Sequence, residues 1–110
     1  MSKIDGDSSQ GTLDLLVLKT LARGPNHGFG VSLLVEEASG GLIRLEEGSL
    51  YPALHRLERD GWLEGEWQQT SNGRRARVYR ITKAGAARLA KAENNWKHYS
   101  KGVNRVLRFV

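Results

Sequence analysis

This sequence predicts a mainly α fold with a small β-hairpin: a winged helix-turn-helix continued by a long C-terminal dimerisation helix. Three observations carry that expectation. Across residues 48–61, Leu50, Ala53, Leu54 and Leu57 recur at the three- and four-residue steps that line one helix face, leaving Ser49, Pro52, His55, Arg56 and Arg59 on the other. Directly afterwards, Leu63, Gly65 and Trp67 alternate with Glu64, Glu66 and Gln68, and Thr70-Ser71-Asn72-Gly73 supplies the Asn-Gly signal of a tight hairpin. Beyond Thr82, the positions Leu89, Ala92, Trp96, Tyr99, Val103, Val106 and Val110 step alternately by three and four, the seam of a helix that pairs with another. A core-backed helix with a cationic outer face, followed by a basic hairpin, is the layout with which a winged helix meets DNA.

Each element has its own local reason. Residues 1–8, rich in Ser, Asp and Gly, read as an N-terminal arm. A first helix is expected over 9–23, where Leu13, Leu16, Val17, Thr20 and Leu21 share a face that Leu15 and Leu18 widen, the pattern of a well-buried helix. Gly24-Pro25-Asn26 ends it, because proline cannot continue the hydrogen-bond ladder. A second helix should open at Asn26 or His27 and run to 38 on a stripe of Val31, Leu34, Val35 and Ala38. Gly28 and Gly30 cost its first turns about 1 kcal/mol each in helix propensity, which points to close packing there. His27 reads as a capping side chain rather than a metal ligand, since His55 and His98 lie at no ligand spacing from it.

Ser39-Gly40-Gly41 reads as a flexible joint, and residues 42–45, alternating around Arg44, as a small third strand at the hairpin's edge. The next helix spans 48–60, capped by Gly48 or Ser49, with Pro52 tolerated in its first turn and Gly61 as its stop. Strands at 63–69 and 75–81 follow. The return strand mixes Arg75, Arg77, Tyr79 and Ile81 on one side with Ala76, Val78 and Arg80 on the other, and periodicity does not say which is buried. Thr82 caps a final helix to about 109, in which Gly102 marks a bend or a close crossing. The organisation is therefore an arm (1–8), a winged-helix domain (9–82) and a C-terminal dimerisation helix (83–110).

Composition narrows the function classes. The chain has 110 residues, 39% of them hydrophobic and 26% charged, enough for one small globular domain. Its net charge of +5 favours a polyanionic partner, and the charge is unevenly placed. Arg74, Arg75, Arg77, Arg80 and Lys83 occur with no acid among them, whereas Glu36, Glu37, Glu46 and Glu47 cluster earlier. The absence of cysteine removes disulfides, thiolate catalysis and Cys-based zinc sites. With no leader and no apolar run near the roughly 20 residues of a membrane span, a soluble cytoplasmic protein is the expectation. No nucleophile sits with a base and no phosphate-cradling glycine loop is present, so neither an enzyme nor a cofactor is expected.

The basic elements carry the chemistry instead. Arg74 and Arg75 at the hairpin tip, with Arg77 beyond them, present guanidinium forks suited to phosphates or a minor groove. In the preceding helix, His55 or Arg56 is suited to a purine edge and Arg59 to a phosphate, with Ser49 and Pro52 on the same face. Tyr51 sits at the border of core and surface, to pack or to donate to a phosphate.

These motifs together resemble the PadR family of bacterial transcriptional regulators. The resemblance rests on Gly11-Thr12-Leu13-Asp14-Leu15-Leu16-Val17-Leu18, on His27-Gly28-Phe29-Gly30, on Gly48-Ser49-Leu50-Tyr51-Pro52-Ala53-Leu54 with Leu57-Glu58 and Gly61-Trp62-Leu63, and on the run from Gly73 through Thr82 with Gly85. It implies a repressor that dimerises through its C-terminal helix, binds a palindromic operator, and in many relatives is released by a small aromatic or drug-like effector. The single C-terminal helix matches the family's short branch, and Phe29 stands where Tyr is common. On this view Leu89, Trp96, Tyr99, Val103, Val106 and Val110 form the homodimer contact, with docking on the chain's own domain accounting for the Leu89 end, and Trp96 and Tyr99 are candidates to stack an effector or else plain dimer core. The competing readings are a winged helix that binds an acidic protein partner, and a ligand sensor whose output is not DNA.

Overall fold

Residues 9–109 are described by the computed structural model, which places seven elements in the order α1 (Ser9–Ala22), β1 (Asn26–His27), α2 (Gly28–Ala38), α3 (Glu47–Arg59), β2 (Leu63–Gln69), β3 (Arg75–Ile81) and α4 (Lys83–Phe109). The expected arm and Val110 lie outside the described residues. Burial follows the periodicity of the helices. Val17, Leu18 and Leu21 of α1, Val31 and Val35 of α2, and Leu50, Leu54 and Leu57 of α3 converge with Leu63, Tyr79 and Leu89 on one core. Thr20 joins that interior because its hydroxyl donates to the Leu16 carbonyl at 2.8 Å, removing the cost of an unpaired polar group.

The hairpin forms with the expected bounds. Its antiparallel register sets Leu63 opposite Ile81, Gly65 opposite Tyr79 and Trp67 opposite Arg77. This settles the mixed faces of β3: Arg75, Arg77, Tyr79 and Ile81 share the side of Leu63, Gly65 and Trp67, buried at its root and solvated towards its tip. Gly73, at φ +82°, closes the turn and donates to the Thr70 carbonyl at 3.0 Å.

The third strand is not at residues 42–45, which carry no strand. It is Asn26–His27, paired antiparallel to β3 through Asn26 opposite Tyr79 and His27 opposite Val78, so the sheet order is β1-β3-β2. Helix α2 accordingly opens at Gly28, later than expected, with His27 as its cap: the imidazole Nδ1 accepts from the Gly30 amide at 3.0 Å. A Cβ on Gly28 would lie 2.6 Å from the Tyr51 ring, so the expected close packing is real. The joint after α2 is held in place, for the Ser39 hydroxyl accepts from the Ile43 amide at 2.9 Å.

Helix α3 begins earlier than its sequence suggests. Its N-cap is Glu46, which makes no side-chain cap bond, and Glu47 in the first turn complements the helix dipole. Pro52 therefore falls inside the helix rather than in its first turn, and no amide is available there for the Gly48 carbonyl. Gly61 ends α3 as expected. At φ +84° it donates to the Glu58 carbonyl at 3.0 Å while the Trp62 amide reaches the Leu57 carbonyl at 2.9 Å, a Schellman motif that turns the chain straight into β2.

Thr82 caps α4 by accepting from the Gly85 amide at 2.9 Å. Its hydroxyl also donates to the Gly61 carbonyl at 2.7 Å. Helix α4 then runs unbroken through Gly102, where a Cβ would meet nothing within 4 Å, so no close crossing is made there among the described residues. It packs on α1 near Leu89 and continues outward, giving principal extents of 56 × 29 × 22 Å.

Candidate nucleic-acid interface

The solvent face of α3 borders an open depression of about 730 Å³ lined by Ser49, Pro52, His55, Arg56 and Arg59 together with Arg44 and Glu46 of the preceding loop. The four hydrophobic positions that back it, Leu50, Ala53, Leu54 and Leu57, are all buried. Ser49, Pro52, His55 and Arg59 are exposed, whereas Tyr51 is half-exposed with its ring edge against Gly28. Arg44 is not among the residues that the sequence pattern singles out, because residues 42–45 alternate like a strand. Its signal was a lone cation in a glycine-flanked loop just before α3.

Two of the expected DNA contacts are already engaged by carboxylates. Arg56 forks onto Asp14 of α1 through bonds of 2.7 and 3.0 Å, with the two side chains only 25% and 23% exposed. Those hydrogen bonds raise the guanidinium pKa further above its ordinary value, against a smaller opposing effect of burial. A guanidinium so held ties α3 to α1 and is not free to read a purine edge. Arg77 likewise pairs with Glu58 of α3 through both its Nε and Nη2, and that pairing raises its pKa. It joins the wing to the helix instead of pointing outward.

The wing keeps free cations at its tip. Arg74 and Arg75 are exposed and make no ion pair with any described residue. The Arg75 guanidinium lies 5.1 Å from the Trp67 ring centroid, and that of Arg77 lies 5.5 Å from it. Arg80, on the opposite sheet face, faces Glu64 at 3.6 Å. The candidate surface that remains is Ser49, Pro52, His55 and Arg59 on the helix, Arg44 beside it, and Arg74 and Arg75 on the wing.

On α4 the seam divides. Leu89, expected in the contact between copies, is 7% exposed and packs in this protomer's own core. Trp96, Val103 and Val106 are exposed, as are Leu107 and Phe109 off the seam. Trp96 and Tyr99 meet with ring centroids 6.3 Å apart at a 42° tilt. No group of three or more potential metal ligands occurs among the described residues, and no helix among them is long and apolar enough to cross a membrane.

A family model for PadR-like transcriptional regulators matches residues 17–91. The chain belongs to this PadR-like family. A transcriptional regulator of Mycobacterium tuberculosis is 52% identical over 56 residues, a match that spans 51% of either chain, about half of that relative's length. Among solved structures, a regulator from Thermoplasma acidophilum superposes with a TM-score of 0.80 at 27% identity, covering 93% of this chain and 96% of that one. A PadR family regulator from Eggerthella lenta gives 0.75 at 33% identity, covering 89% and 83%. The protein is thus a PadR-like transcriptional regulator with four helices, a three-stranded antiparallel sheet and a long C-terminal helix. The matched span covers α2, α3 and the wing entire and stops just beyond Leu89, so the exposed length of α4 lies outside it.

Proposed function

We propose that this PadR-like regulator is a DNA-binding repressor that works as a homodimer. The observation that carries this reading is the adjacency of two exposed cationic surfaces, the outer face of α3 and the wing tip, joined through the Glu58–Arg77 pair. Helix α3 enters a major groove with Ser49, Pro52 and His55 towards base edges and Arg59 towards a phosphate, while Arg74 and Arg75 reach the flanking backbone or minor groove. Two copies joined through Trp96, Tyr99, Val103, Val106 and Val110 present two such helices to successive grooves about 34 Å apart on a palindromic operator.

The exposure of Trp96, Val103 and Val106 supports the pairing, because an apolar stripe on an outlying helix has no core of its own left to join. The tilted Trp96–Tyr99 pair supports a small aromatic effector held between the two copies, whose binding releases the DNA. The domain division follows, with the winged helix at 9–82 and the dimerisation helix from 83, and the cytoplasm is the compartment in which such a protein meets the chromosome. Selection of bound duplexes from random-sequence DNA tests the reading: recovery of an inverted repeat, lost as salt rises, supports it. Failure to enrich any sequence at low salt refutes it.

A further inference from the structure

Four side chains run in a line from the recognition helix to the wing. Glu58 in the last turns of α3 binds Arg77 on β3, and the guanidiniums of Arg77 and Arg75 both lie over the ring of Trp67 on β2. Gly65 leaves room for the line. A Cβ at that position would come within 2.8 Å of both Arg77 Nε and Glu58 Oε1, so the ion pair in this arrangement occupies the space that a side chain there would take. Trp67 is 54% exposed and makes no contribution to the core, an unusual place for the largest side chain. Arg75, at the outer end, has no carboxylate partner among the described residues.

We propose that Trp67 is a positioning residue for the wing: its ring, steadied from one side by the Glu58-anchored Arg77, holds the Arg75 guanidinium extended to meet a DNA phosphate. This inference rests on the DNA-binding reading above and adds a role that charge alone does not assign. An arginine stacked on an indole keeps its hydrogen-bond donors directed outward in the guanidinium plane, and it loses less side-chain freedom when it binds than one waving in solvent. Arg74, one residue nearer the tip, has no such support.

Since a phosphate contact does not depend on base sequence, the test uses a random-sequence duplex of roughly 30 base pairs and the full chain. Trp67→Leu is expected to weaken binding about three- to tenfold with an unchanged melting temperature, while Trp67→Phe, which keeps an aromatic face, stays within about twofold of the wild type. Arg75→Ala is expected to lower the salt slope of log K by about 0.9, the contribution of one phosphate contact. Adding Trp67→Leu to Arg75→Ala is expected to cost nothing more, because the ring acts only through that arginine. Equal losses from Trp67→Leu with and without Arg75, or a Phe variant as weak as the Leu variant, overturn the proposal while leaving DNA binding intact. A wild-type chain that binds no duplex at low salt overturns both.

Discussion

Removing the Arg56 side chain distinguishes a structural tie from a base reader. The Arg56→Ala variant loses two charge-assisted hydrogen bonds to Asp14, 2.7 and 3.0 Å long, that join helices whose contacting residues are 42 positions apart in sequence. Bonds to charged groups contribute roughly 1.5–3 kcal/mol. With both side chains about a quarter exposed, water compensates part of that, and the lost restriction of a long side chain offsets more. A net destabilisation of about 1–2 kcal/mol is expected, which for a domain of this size lowers the melting temperature by roughly 5–15 °C. Thermal unfolding followed by circular dichroism measures it, and Asp14→Ala combined with Arg56→Ala should cost less than the sum of the two. The complementary variant, Asp14→Asn, frees the guanidinium on the recognition face and should steepen the salt dependence of DNA binding by about 0.9 in slope. An Arg56→Ala protein that melts like the wild type but prefers a different operator would refute this reasoning.

Further outcomes follow from the same geometry. Gly85→Ala places a Cβ 2.1 Å from the Trp62 carbonyl oxygen, a backbone atom that cannot swing away, and should destabilise by about 2–3 kcal/mol in urea unfolding. Burial, aided by Glu58, pushes the Tyr79 phenol above its ordinary value. Its contribution to stability is therefore complete below about pH 10 and is lost as pH rises through the higher folded-state value, and Tyr79→Phe should flatten this alkaline fall in the urea midpoint. Val106→Glu places a charge on the exposed seam and should shift the mass measured by light scattering towards that of a single chain, with the melting of the winged helix little changed.

What could be read in advance depended on how local its cause was. The hairpin came out with the right ends because Gly61 and the Asn72-Gly73 turn fix it from within a few residues. The third strand is not legible in the sequence because Asn26–His27 is only two residues long, too short for any alternation, and its partner lies some fifty positions away on β3. The start of α3 is earlier than the pattern suggests since Glu46 caps without a side-chain bond and so leaves no residue signature. The site suffered most from distance. A sequence displays Arg56 and Arg77 as cations, but not the carboxylates of Asp14 and Glu58 that occupy them. Leu89 fits the heptad seam as well as Val103 does, and its docking on its own domain, expected for that end of the seam because a small core cannot cover all of it, is what the packing of α4 on α1 gives.

The joints around Thr82 bear on how such a regulator would be switched. A single residue separates β3 from α4, and its hydroxyl is fastened to the carbonyl that closes α3. Recognition helix, ribbon and the root of the terminal helix are consequently riveted into one block with no hinge among them. A signal received far out on α4 has little purchase on the shape of either reading head. In the proposed dimer it would act instead like a hand on the handles of a pair of calipers, changing the gap between two points and so whether both can touch the duplex together.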